Sequence, residues 1–171
     1  MRDSLTRSKR IRLRRTQPED VQAIVEMERH PDNSSYIVQW PAERHVDAVA
    51  DANYLHIVLE CQDSRLIGYL IVSGLQDAGS NVELVRLVVA EKGKGYGKEA
   101  LKLVMGFVFR ELQASRLWLD VMEHNERARG VYESAGFRNI PIVGHLQTET
   151  GQAGLVRMEI GESEFYALQG H

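Results

Sequence analysis

The chain reads as an α+β protein built on a mixed, mostly antiparallel central sheet flanked by helices. Three observations carry that reading. Three β-rich runs follow one another across short turns between residues 54 and 90, which makes them antiparallel neighbours. A helical rhythm over 97–112 then separates the third run from a strand-like segment at 116–121; a strand–helix–strand crossover makes its two strands parallel. The 171 residues contain no repeat, low-complexity tract or Pro/Gly/Ser-rich linker, so they fit one domain able to bury its own core.

Taken in order, residues 1–10 read as a basic, flexible N-terminus and 11–171 as the single domain. Ile11–Leu13 alternates with arginines as a short strand. Thr16-Gln-Pro-Glu19 has the form of a capping box with Pro18 in the first turn, and opens a helix carrying Val21, Ile24, Val25 and Glu28 to Arg29. His30–Ser35 breaks it. A loop with Tyr36 and Trp40 leads to Pro41 and an amphipathic helix, Ala42–Ala50. Tyr54–Glu60, Leu66–Leu75 and Val82–Ala90 are the three antiparallel strands. Leu101, Val104, Met105, Val108 and Leu112 mark the crossover helix, starting at Gly97. Arg116–Val121 is the strand parallel to Val82–Ala90. Asn125–Ala135 is a helix stopped by Gly136, and Phe137–Leu146 and Leu155–Ile160 are two last strands across the turn Glu149–Gln152. The expected order is βααβββαβαββ.

Composition excludes several classes. One cysteine, Cys61, allows no disulfide framework or Cys-rich zinc site and suits a reducing, cytoplasmic setting. The six histidines form no i,i+4 ligand pair, so no metal is expected. No apolar run is long enough to span a membrane, and the start lacks the apolar stretch of a secretory signal. Residues 1–15 carry seven Arg/Lys and one acid, leaving −9 on the remaining 156, and an acidic body is a poor DNA binder. Four of the five lysines (Lys92, Lys94, Lys98 and Lys102) fall within eleven residues, beside glycines.

That cluster, Glu91-Lys-Gly-Lys-Gly-Tyr-Gly97, lies between a strand and a helix. Glycines let backbone N–H groups face an anion, and the helix N-terminus adds a dipole of the right sign. A P-loop does not fit, because Gly93 to Gly97 is one residue short and Glu99 stands where a metal-binding hydroxyl belongs. The dinucleotide fingerprint GxGxxA matches Gly95–Ala100, with Asp120 further on. Yet five residues separate Val89 from Gly95, and only 51 follow Asp120, too few for the rest of a dinucleotide enzyme.

The chain resembles the GNAT-superfamily N-acetyltransferases in two places. The family's acyl-CoA motif, a strand followed by [QR]xxGx[GA] and a helix, is similar to Val82–Ala90 followed by Lys92-Gly-Lys-Gly-Tyr-Gly97, with Lys92 in place of Gln or Arg. The family's strand and NxxAxxxYxxxGF are similar to Leu117–Phe137, which contains Asn125, Ala128, Tyr132 and Gly136-Phe137. The resemblance covers roughly residues 11–160 and implies a GNAT-like acyl-CoA N-acyltransferase fold, with acetyl-CoA as donor and a primary amine (small molecule or protein N-terminus) as acceptor.

The resemblance also implies roles. Gly93, Gly95, Tyr96 and Gly97, with Lys92, Lys94 and Lys98, would hold the CoA phosphates. Leu87, Val88 and Val89 would pair with the pantetheine arm, and an N–H near Val89 would face the thioester oxygen. Asn125 would touch the arm and Tyr132 would protonate the leaving thiolate. Glu83 and Asp120 are both open as general base, and His124 lies beside them. Tyr36, Trp40 and the 30–41 loop would flank the acceptor. Cys61 lies outside both motifs, which favours direct transfer over a covalent intermediate. A homodimer is allowed. A non-catalytic acyl-CoA-binding module and an NAD-dependent oxidoreductase are the rival readings.

Overall fold

The structure, a computed structural model, describes residues 4–140, 145–148 and 151–170. Its strands are β1 (Ser4–Arg7), β2 (Ile11–Arg15), β3 (Tyr54–Cys61), β4 (Leu66–Ser73), β5 (Asn81–Val89), β6 (Arg116–Met122), β7 (Arg138–Ile140), β8 (His145–Thr148) and β9 (Gly151–Gly161). Its helices are α1 (Val21–Arg29), α2 (Pro31–Ser34), α3 (Ala42–Ala50), α4 (Tyr96–Gly106), α5 (Glu126–Ser134) and α6 (Glu162–Gln169). The sheet runs β1-β2-β3-β4-β5-β6-β9-β7, with β8 on β9 off that path. β5 and β6 are parallel, as the crossover requires, and the other pairs are antiparallel.

β3 and β4 are buried along almost their whole length because helices cover both faces of the sheet. One face joins Leu13, Leu55, Leu70, Val82 and Leu84 to α4, to Tyr132 of α5 and to Phe165 of α6. The other joins Val58, Tyr69, Ile71 and Val88 to Ile24 of α1, Trp40 and Ala48 of α3. β5 serves both by changing parity midway. Ile71 of β4 pairs with Arg86, but the next residue, Val72, pairs with Leu84, so Val85 is the extra residue of a β-bulge. A bulge bends its strand. β6 accordingly stays in register with β5 only from Asn81↔Arg116 to Glu83↔Trp118, while its far edge pairs with β9 from Arg116 to Met122.

Four local expectations are corrected. Residues 4–7 are not frayed: they pair with β2, Leu5 packs on the core, and the following turn is tied to α4 by Ser8 Oγ to Glu99 at 2.7 Å and Arg10 Nε to Glu99 at 2.8 Å. Thr16 does not cap α1. Gln17 caps a 3₁₀ turn, Pro18–Asp20, and its N–H donates to Asp20 Oδ2 at 2.7 Å, while Thr16 is buried with His56. The crossover helix starts at Tyr96 and widens at its end, where Leu112 N–H reaches Phe107 O at 3.1 Å. Beyond the last strand, α6 adds a helix that sequence periodicity did not mark; Phe165 stacks on Phe109 at 4.7 Å. The described residues of the expected strand Phe137–Leu146 include β7 and the start of β8; residues 141–144, and 149–150 of the expected turn, lie outside the described set.

Candidate active site

Two clefts meet where β5 and β6 part. The first, about 530 Å³, is lined by Asn33 and Tyr36, by Leu87, Val88 and Val89, by Lys92, and by Asn125, Arg127 and Tyr132. Leu87–Val89 pairs with β4 on one side (Leu70↔Leu87 to Gly68↔Val89) and has no paired strand on the other among the described residues. Its open backbone edge can accept an extended amide-bearing ligand as an added strand. At the end of β5, Gly93 and Gly95 both take φ of +79°, which residues with side chains rarely adopt. Gly95 is the N-cap of α4, so Tyr96, Gly97 and Lys98 form the first helical turn, where backbone N–H groups lack helical partners.

The lysines divide. Lys92 Nζ donates to Asn33 Oδ1 at 2.6 Å and lines the cleft with Arg127. Burial and the neighbouring Arg127 both lower the Lys92 pKa, so the two cations together favour an anion between them. Lys94 turns outward to Glu91 at 2.8 Å, which raises its pKa, and Lys98 is exposed. Asn125 lies one position ahead of its expected place inside α5: it is the N-cap, with Oδ1 accepting from Ala128 N–H at 3.3 Å. Tyr132 is 8% exposed, and burial pushes its phenol up to about 12.

The second cleft, about 440 Å³, shares Tyr36, Leu87, Asn125 and Tyr132 with the first and continues to Glu83, Asp120, Arg86, Trp40 and Arg44. The two candidate bases differ in their surroundings. Both Asp120 oxygens are engaged by Arg157, at 2.8 and 2.9 Å, and that guanidinium lies 4.2 Å over the Trp118 ring. Each oxygen thus accepts from one guanidinium N–H. The Glu83 pKa is raised, chiefly by burial and then by Asp120, against the opposing Arg157 and Ser73 hydroxyl. A carboxylate with a raised pKa is the better proton acceptor. His124 Nε2 lies 3.1 Å from Ser35 O and its ring stacks on Tyr36 at 5.4 Å, which fastens the α2 segment across the junction. Cys61 lines neither of these clefts.

A family model described as an acetyltransferase (GNAT) domain matches residues 10–138. The chain belongs to the GNAT acetyltransferases. It is an N-acetyltransferase enzyme, with acetyl-CoA as donor and an amine as acceptor at the level of the family. It is 25% identical over 169 residues to the spermidine N(1)-acetyltransferase of Escherichia coli (strain K12), covering 92% of this chain and 89% of that protein. It is 36% identical over 92 residues to a probable N-acetyltransferase, YjcK, of Bacillus subtilis (strain 168), covering 51% and 49%. Among solved structures, the spermidine N-acetyltransferase from Vibrio cholerae in complex with CoA and spermine has a TM-score of 0.80 at 20% identity, covering 93% of this chain and 99% of that one. A dodecameric form of the same enzyme has a TM-score of 0.75 at 20% identity, covering 92% and 97%. These neighbours carry the same fold.

Behind the second cleft this GNAT domain buries a polar network that the sequence pattern did not announce. Glu28 of α1 is fully buried, and its carboxylate accepts from Trp40 N–H at 2.9 Å, from Arg86 Nη1 at 2.5 Å and from the Tyr69 hydroxyl. His45 Nε2 lies 3.0 Å from Glu28 Oε2, His45 Nδ1 2.9 Å from His56 Nε2, and His56 Nδ1 2.7 Å from Thr16 Oγ1. Burial alone would raise the Glu28 pKa, but His45, Tyr69, Arg86 and the Trp40 amide hold it below the usual range. Burial, then the neighbouring His45, lowers His56 to about 3. His45 and His56 are eleven residues apart and on different elements, so no local spacing pairs them. The helical and strand periodicities that place Glu28 and His56 inward were the available signal.

Proposed function

We propose that this enzyme transfers an acetyl group from acetyl-CoA to a primary amine by direct attack in a ternary complex. The observation that supports it best is the junction itself. A cleft with an open strand edge and two cations, beside the strand that runs on into a glycine-rich helix start, meets a carboxylate-bearing cleft at Tyr132 and Asn125. Acetyl-CoA supplies the thioester carbonyl that the amine attacks and the thiol that leaves.

In this reading the backbone of Gly93–Gly97, with Lys92 and Arg127, binds the phosphates, and Leu87–Val89 takes the pantetheine amides as an added strand. Lys94 and Lys98 play no direct part. An N–H near Val89 stabilises the oxyanion. Glu83, directly or through a water, removes the proton of the attacking ammonium, and its raised pKa suits that task. Asp120 is assigned to holding Arg157. Tyr132 gives its proton to sulfur. Transfer from a phenol near 12 to a thiolate of pKa ~8.5 is uphill, so the hydrogen bond must form while the C–S bond is still breaking. Burial against the junction positions the hydroxyl for that. The relatives named for spermidine support a primary amine as acceptor. The single free Cys61 supports a cytoplasmic setting.

The test is thiol release from acetyl-CoA across a panel of amines, paired with thermal shift. Acetyl-CoA stabilises the fold and NAD does not. Stabilisation by NAD alone favours the oxidoreductase, and acetyl-CoA binding with no thiol release to any amine favours the non-catalytic module.

A further inference from the structure

The far wall of the second cleft is built around Trp40. Its ring lies under two guanidiniums, Arg44 at 4.0 Å and Arg86 at 5.0 Å from the centroid. The two cations are not equivalent. Arg86 is sunk in the protein, its charge balanced by Glu28, and a further N–H of its guanidinium goes to Val38 O. Arg44 is exposed on α3 and has no carboxylate partner among the described residues. Its guanidinium lies over a ring that is held from behind. Trp40 is 5% exposed, its N–H is bound by Glu28, and Arg86 is fixed by the same carboxylate. An arginine pinned by stacking keeps its N–H donors free in the ring plane, which suits a carboxylate.

The ionic balance of the cleft points the same way. Asp120 is paired with Arg157 and Arg86 with Glu28, which leaves Glu83 and Arg44 as the acidic and basic side chains without an ion-pair partner among the described residues of the lining. The same lining holds the apolar side chains of Val38, Val85, Leu119 and Met122. A polycation needs several unneutralised carboxylates along its length, and this lining offers one. One carboxyl, a set of apolar side chains and one guanidinium over an indole match an acceptor with a single amine, an apolar body and an anionic end.

We propose that the acceptor is an amino-carboxylate, its amine at Glu83 and Tyr132 and its carboxylate on Arg44, rather than a polyamine. The inference rests on the acetyl-transfer reading. It predicts a different substrate charge from that in the names of the spermidine relatives.

Matched acceptors that differ by one carboxylate test it: 4-aminobutanoate against propylamine, and 6-aminohexanoate against pentylamine, with spermidine as the polycation. The expected result is a kcat/KM about 10- to 100-fold higher for the carboxylate member of at least one pair, the range of a charge-assisted hydrogen bond. Arg44→Gln should bring that ratio close to one, whereas a merely structural Arg44 would lower both members together. Equal rates within both pairs, or spermidine preferred over all four, overturn the inference while leaving acetyl transfer standing. No thiol release with any amine overturns the parent reading instead.

Discussion

The two faces of the sheet are built on different principles. Under α4, α5 and α6 the core is aliphatic and aromatic, with Leu101, Val104, Val108 and Phe109 all essentially inaccessible. Under α1 and α3 an equally buried layer holds Glu28, His45, His56 and Tyr69 in one hydrogen-bonded chain. Apolar packing is tolerant of exchange, whereas a buried carboxylate must keep each of its donors. The first face secures the fold. The second fixes Trp40 and Arg86, and through them the wall of the second cleft.

The contrast is open to direct attack. Glu28→Ala strands a buried guanidinium, and should cost about 3–5 kcal/mol in urea denaturation. In whatever folds, the KM for the amine should rise more than that for acetyl-CoA; equal changes in both would reduce the network to ballast. Leu101→Ala on the other face should cost about 3 kcal/mol through its cavity, with both KM values kept. A KM change there would erase the distinction between the faces.

Acid separates the faces further. The folded pKa of His56 is about 3, below that of the unfolded chain near ~6.5, so the unfolded state binds the extra proton between those values. Stability is therefore unaffected above about pH 6.5. It falls by up to about 1.4 kcal/mol per pH unit below that, levelling near the folded value. Glu28, whose pKa is lowered, adds a loss of the same sign as the pH falls below the ordinary carboxylate range. His56→Gln should flatten the upper part of this slope in pH-dependent thermal melts. An unchanged slope would place the acid sensitivity elsewhere. The smallest effect is expected at the glycine loop, where Lys94→Ala should change CoA affinity less than twofold and Lys92→Ala more, by calorimetry, because only Lys92 lines the cleft.

What the sequence disclosed follows the same division. Leu101, Val104 and Val108 repeat at helical spacing, so the apolar face and its crossover were legible. So was the parallel pairing of β5 with β6, through the strand–helix–strand order. The bulge at Val85 was not, since Val85-Arg86-Leu87 reads as an ordinary alternating strand until its partner β4 is seen. Nor was the Glu28 network, whose members come from five elements with no shared period. β1 was hidden because Leu5 is its one apolar residue packed on the core, and α6 because little periodicity marks it. Between Glu83 and Asp120 the sequence left an open choice. Arg157, 37 residues beyond Asp120, bonds both oxygens of that one carboxylate, a contrast no local spacing announces.

The account turns on Tyr132 at the junction of the clefts. Tyr132→Phe keeps the ring and removes only the hydroxyl. Turnover measured by thiol release, with acetyl-CoA affinity measured on the same preparation by calorimetry, decides it. The account predicts a kcat lower by about 10²-fold or more with affinity preserved within about twofold. Undiminished turnover in the variant would contradict it.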